Sequence, residues 1–198
     1  MIYNYYELRV GRERHAQKAL ADQVYASGGD GVLGVFAPVL GFASNEALVL
    51  TDERASPDAV LKGSGVAAAE WRRMSPTLRP HQAARPEAGG IYVHNWFTID
   101  APALDEFVQL SGAAWEDFEA RFDAKIYGLF AVEPQAGEVA GGARRLLLIT
   151  RYRDLGEWQA SRDPTTEAMQ IFARRRELTQ VSLARACVLI PRAEATAP

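Results

Sequence analysis

Ile2-Tyr3-Asn4-Tyr5-Tyr6-Glu7-Leu8-Arg9-Val10 can be laid without a gap over Ile91-Tyr92-Val93-His94-Asn95-Trp96-Phe97-Thr98-Ile99. Both stretches are rich in β-branched and aromatic residues, and both lead into a helical pattern. Two further matches follow in the same order. Leu33-Gly34-Val35-Phe36 falls on Tyr127-Gly128-Leu129-Phe130, and Leu48-Val49-Leu50-Thr51 falls on Leu147-Leu148-Ile149-Thr150. Chance similarity between apolar strands explains any one match, but not the shared order. Each half therefore reads strand, helix, strand, strand, helix, strand.

In the second half, Asp100 before Pro102 suits a helix start. Leu104, Phe107, Val108, Ser111, Trp115, Phe118 and Phe122 then recur at steps of three and four, as an amphipathic helix requires. Residues 125–133 and 144–153 read as strands, separated by a loop from Pro134 to Gly142. Asp163-Pro164 reads as another helix start, with Ala168, Ile171 and Phe172 on one face, and residues 179–190 close the half as a strand. Arg174-Arg175-Arg176 reads as the solvated end of that helix, where cations oppose the negative end of the dipole.

In the first half the pattern predicts a helix over about 12–27, stopped by Gly28-Gly29, and a second over about 57–74 despite Gly63 and Gly65. The last strand of this half is weakly written, because Pro80 fits only an edge. Pro76 to Gly90, rich in proline and glycine, is expected to hold that edge and a linker, which puts the unit boundary near residue 88 (units 1–88 and 89–198). A βαββαβ unit is an antiparallel sheet with both helices on one face, and the other face needs a cover. The expected fold is α+β: two tandem ferredoxin-like repeats whose bare faces meet, forming a single-chain, barrel-like pseudo-dimer.

Composition narrows the function classes. Of 198 residues, 48% are hydrophobic and 24% charged, as in ordinary globular chains. The balance of 22 basic against 25 acidic residues gives a net charge of −3 and no broad basic field for nucleic acid or anionic lipid. Cys187, the single cysteine, makes no internal disulfide and no thiolate metal cluster. Met1-Ile2-Tyr3 does not open like a signal peptide, and no apolar run is long enough to span a membrane. The expectation is a reduced, cytoplasmic protein with a small-molecule ligand, without nucleic-acid or membrane partners; homo-oligomer formation stays open.

Tyr6-Glu7-Leu8-Arg9, the duplicated halves, and Gly156-Glu157-Trp158 shortly before Asp163-Pro164 resemble the NIPSNAP group of the dimeric α/β-barrel, ferredoxin-like superfamily. The resemblance covers nearly the whole chain. It departs at Val93-His94-Asn95, where a Glu-Leu-Arg-like run is usual, and it lacks an aromatic residue immediately after Arg9. It implies the barrel fold, while the superfamily hosts monooxygenases, isomerases, lyases, haem enzymes and non-enzymatic members. It also implies that Asn95 matches the cleft asparagine common in cofactor-free oxygenases of the superfamily.

Strand alternation sorts the candidates onto two faces. Ile91, Val93, Asn95, Phe97 and Ile99 suit the helix-covered side, with Asn95 as its polar exception. Tyr92, His94 and Trp96 share the opposite face and match Tyr3, Tyr5 and Glu7, followed by Arg9. The third strand of the half adds Arg151 and Arg153, or Tyr152, depending on phase. This second set reads either as a polar network between the sheets or as a pocket that stacks a flat substrate. His94 is the first candidate for proton transfer. Asn95 and Arg151 join it as catalytic candidates, and Tyr5, Glu7, Arg9, Tyr92, Trp96 and Tyr127 are candidate substrate contacts. No metal-ligand spacing and no cofactor motif appears, although one axial histidine would suffice for haem. The leading expectation is a cofactor-independent enzyme (monooxygenase, isomerase or lyase) acting on a small aromatic or apolar metabolite; the rival is a non-catalytic binding protein.

Overall fold

The computed structural model describes residues 1–62, 66–134, 138 and 142–192. Gly63 and Gly65, and most of the loop after Pro134, lie outside the described residues. The first half contains β1 (Tyr3–Val10), α1 (Ala16–Gly28), β2 (Val32–Leu40), β3 (Glu46–Asp52), α2 (Pro57–Leu61) and β4 (Val66–Pro76). The second contains β5 (Ile91–Asp100), α3 (Leu104–Arg121), β6 (Ala124–Val132), β7 (Ala143–Tyr152), α4 (Leu155–Ala160), α5 (Glu167–Glu177) and β8 (Thr179–Ile190). The eight strands close into one barrel in the order β1-β3-β2-β8-β5-β7-β6-β4. Within each half the fourth strand lies beside the first, the first beside the third and the third beside the second. The halves join through β2–β8 and β4–β6.

The ladder registers recur from half to half at the matched positions. Tyr5 faces Leu50 and His94 faces Ile149; Phe36 faces Leu48 and Phe130 faces Leu147. A register shift precedes Gly34 in β2 and Gly128 in β6. A Cβ on Gly34 would stand 3.0 Å from the Phe36 ring, and one on Gly128 would stand 2.8 Å from the Phe130 ring. Glycine leaves room at both bulges for the phenylalanine two residues on.

One expectation of the sequence is corrected. The helix expected over 57–74 is only α2, capped by the Ser56 side chain, and residues 66–76 form β4. Val66-Ala67-Ala68-Ala69-Glu70-Trp71 favours a helix intrinsically, but pairing with β1 along its whole length holds it extended. The strand therefore lies upstream of Pro80, and the stretch after Pro76 connects the halves. Two smaller adjustments concern helix starts. α1 begins at Ala16, and α5 begins at Glu167, its cap being Thr166 rather than Asp163.

Apolar side chains divide into three layers. Tyr3, Tyr5, Leu33, Phe36, Leu48, Leu50, Met74, Tyr92, Trp96, Phe130, Leu147 and Ile149 fill the lumen. Leu20, Val24 and Tyr25 of α1 cover Tyr6, Leu8, Val35 and Val49 on the outside of the first half. Phe107, Trp115 and Phe118 of α3, with Ala168, Met169 and Phe172 of α5, cover Val93, Phe97, Ile99, Leu146 and Leu148. Each lumen side chain contributes about 1.5–3 kcal/mol only if both halves are present to exclude water. Residues 1–88 expressed alone should therefore self-associate or aggregate, as read by sedimentation; a folded monomer of that fragment would contradict the shared-lumen architecture.

Candidate functional site

The lumen side of β5 carries Tyr92, His94 and Trp96, as alternation requires. The Tyr5 hydroxyl lies 2.7 Å from His94 Nδ1 across the lumen, and the Phe36 ring stands edge-on to the imidazole at 4.8 Å. His94 is 0% exposed, so no water-sized space touches it. Burial, with the nearby Arg185 cation, pushes its pKa down to about 3. Its Nε2 has no hydrogen-bond partner among the described residues, an omission that costs roughly 1–3 kcal/mol. His94, which the sequence offers as the proton carrier, is placed here as half of a buried link between the two halves.

The remaining lumen candidates separate to opposite mouths of the barrel. Trp96 packs edge-on against Tyr5 at 5.5 Å, with the Arg145 guanidinium 4.7 Å over its ring. Glu7 pairs with Arg185 at 2.8 Å, linking β1 to β8 across the lumen. Both line an open groove of about 440 Å³ with Arg9, Glu46 and Glu70. Tyr92, Tyr127 and Arg151 stand at the other mouth, around a cleft of about 200 Å³. Arg151 pairs with Tyr92, which settles the phase of β7, and Tyr152 packs outward against Phe118. The polar atoms at this mouth hold the connection between the halves. Tyr92 donates to the Glu87 carbonyl at 2.6 Å, Tyr127 to the Ala84 carbonyl at 2.7 Å and Arg151 to the Gly89 carbonyl at 3.1 Å. The sequence candidates do not converge on one site.

Asn95 alone among them faces the helix side. It lines a cavity of about 100 Å³ between the sheet and helices α3 and α5. Phe97, Phe118, Ile126, Leu148, Met169 and Phe172 supply apolar walls, and Thr150, Tyr152, Ser182 and Arg175 supply polar ones. The Asn95 side chain has no hydrogen-bond partner among the described residues. Arg162 and Arg176, both exposed, lie at the rim. In the first half, the position matching Asn95 is Tyr6, which is fully buried in the corresponding layer. A shorter side chain in β5 leaves space that the bulky tyrosine fills in β1.

Arg175 is the site residue that sequence reasoning missed. The expectation of a solvated Arg174-Arg175-Arg176 end holds for Arg174 and Arg176, but Arg175 is only 8% exposed. Its guanidinium lies 4.4 Å over Phe172, 5.0 Å over Phe97 and 5.1 Å over Phe107. The signal was available. Arg175 follows Phe172 by three and Ala168 by seven, which is the buried stripe of the helix.

A closed eight-strand antiparallel barrel with external helices, built from two ferredoxin-like halves in one chain, places this protein in the dimeric α/β-barrel fold class. Solved structures of that class align over nearly its whole length. A proposed monooxygenase from Fusobacterium nucleatum is 11% identical over 96% of this chain and 92% of its own, with a TM-score of 0.63. An anthrone oxidase-like protein is 14% identical over the same shares, with a TM-score of 0.62. A ferredoxin-fold protein from Listeria monocytogenes, related to antibiotic biosynthesis monooxygenases, is 11% identical over 96% and 95%, with a TM-score of 0.51. These similarities establish the fold. No protein-family model and no curated protein matches the sequence. No helix among the described residues is long and apolar enough to cross a membrane.

A haem group does not fit the helix-side cavity as it stands. Among the described residues no histidine or cysteine lines it, Met169 and Tyr152 are the only side chains there of a type that ligates haem iron, and a space of about 100 Å³ does not admit a porphyrin without rearranging both helices.

The His94 assignment predicts a pH signature. The unfolded histidine titrates near 6.5, the folded one at about 3. Between those values only the unfolded chain takes the proton, so stability is lost as pH falls below about 6.5. At pH 5 the loss amounts to about 2 kcal/mol. Denaturant unfolding of His94→Phe should therefore weaken less between pH 7 and pH 5 than that of the wild type. Equal slopes would contradict a neutral, buried His94.

Proposed function

We propose that this protein is an enzyme of monooxygenase type that holds a small, flat, mainly apolar metabolite in the helix-side cavity and works without a resident cofactor. The observation that carries this reading is the Asn95 amide, without a hydrogen-bond partner among the described residues, in a cavity whose apolar walls include Phe97, Phe118, Phe172 and Met169. Its aromatic walls suit a flat ligand, and the polar groups among them, the Asn95 amide included, can fix its orientation. The names of the structural neighbours, monooxygenases and an anthrone oxidase-like protein, support the same class of chemistry. The reading extends to a cytoplasmic, NIPSNAP-like protein whose two halves, 1–88 and 89–198, stand in for the two subunits of a dimer.

The lining residues limit what chemistry the site supports. No carboxylate or imidazole lines the cavity among the described residues. The protein can orient a substrate and stabilise negative charge on it, through Asn95 and Arg175. The substrate must then lose its proton to water or arrive ionised. An ionised, electron-rich aromatic can react with dioxygen directly, a methylene carbon becoming a carbonyl with release of one water. The same absence of a base favours the second reading, a binding protein that performs no chemistry.

Dioxygen uptake with a panel of substituted phenols and naphthols separates the readings. Protein-dependent uptake without added metal or flavin is expected, falling at least tenfold in Asn95→Leu while the melting temperature is kept. Ligand binding without uptake would favour the binding protein, and absence of binding to any of the panel would contradict the site itself.

A further inference from the structure

Arg175 enters the protein interior without an anion. The one hydrogen bond of its guanidinium among the described residues runs from Nη1 to Ser111 Oγ at 3.2 Å, and Ser111 in turn donates to the Phe107 carbonyl at 2.7 Å. A guanidinium carries five N–H donors, so most are unmet by protein. Among the described residues, no aspartate or glutamate lines the cavity that Arg175 faces. Arg162 and Arg176 border the same cavity and form no ion pair among the described residues. Arg162 spends its donors on the Tyr152 hydroxyl at 3.1 Å and on Ser161.

Three arginines thus surround about 100 Å³ of partly apolar space to which the described residues bring no negative charge. Leaving a buried cation unpaired is costly, and the compensations seen are partial. The three ring faces and the C-terminal end of α5 each favour a cation, but modestly. Burial pushes the Arg175 pKa down to about 10, so the positive charge persists at neutral pH.

We infer that the helix-side cavity is built for an organic anion, its charged end against Arg175 and its ring among Phe97, Phe118, Phe172 and Met169. This rests on the cavity being the ligand site and adds the ligand's charge and shape. A carboxylate matches the planar fork of an arginine with two parallel hydrogen bonds. A compact inorganic anion would leave the aromatic walls unfilled, and a neutral ring would leave the cation unpaired.

Titration calorimetry on the full chain with benzoate, its neutral isostere benzamide, and inorganic phosphate tests this. Benzoate should bind at least tenfold more tightly than benzamide, and phosphate more weakly than benzoate. In Arg175→Met the preference for benzoate should disappear while benzamide affinity stays within about twofold. Arg175→Gln serves the same purpose should the methionine variant fail to fold. Equal binding of benzoate and benzamide to the wild type would overturn the anion proposal and leave the cavity as a site for neutral ligands. A benzoate preference that survives both substitutions, or phosphate binding as tight as benzoate, would overturn it by moving the charge recognition to exposed arginines. Binding of neither benzoate nor benzamide would overturn the proposal together with the cavity's assignment as the ligand site.

Discussion

Each four-stranded sheet in this chain has one face covered by its own helices and one face with nothing of its own to cover it. Burying those two bare faces against each other is the constraint on which the rest of the architecture rests. The lumen that results is filled with Tyr3, Tyr5, Phe36, Tyr92, Trp96 and Phe130, and is crossed by the Tyr5–His94 hydrogen bond and the Glu7–Arg185 ion pair. Groups that look like catalytic machinery in the sequence are consumed in joining the halves. The histidine is neutral because it is dry, and the tyrosines at the far mouth hold down the connecting backbone.

A filled lumen moves the ligand question to the outside of the sheets, and there the halves differ. In the first half α2 is a single short turn and Tyr6 fills the layer beneath α1. In the second half two long helices stand on the sheet, and Asn95 replaces the tyrosine. The consequence is a cavity with aromatic walls, a free amide and a buried cation. One half is packed solid beneath its helix and the other is open at the matching place.

How much of this was legible in the sequence follows from which interactions are local. Period-two alternation sorted Asn95 and His94 onto opposite faces, because a strand leaves no other choice. The gapless match of β1 to β5 paired positions that prove equivalent in the barrel, since Tyr5–Leu50 and His94–Ile149 are the same rung. What alternation could not tell was which face would be sealed: both β1 and β5 mix aromatic and polar residues on the lumen side. β4 was hidden because Ala67-Ala68-Ala69-Glu70 has helical preference and becomes a strand only through its neighbour β1. Arg175 was obscured by its neighbours in a basic run, although the helical period placed it inward.

The protein has three methionines, of which Met74 lies in the lumen and Met169 on the wall of the helix-side cavity. Their methyl groups report separately on the two places where a ligand could go. With the chain labelled at methionine methyl carbons and titrated with benzoate, the Met169 resonance should shift progressively to saturation while that of Met74 stays fixed. Movement of Met74 with Met169 unchanged would place the ligand in the lumen and contradict the assignment of the cavity between sheet and helices as the functional site.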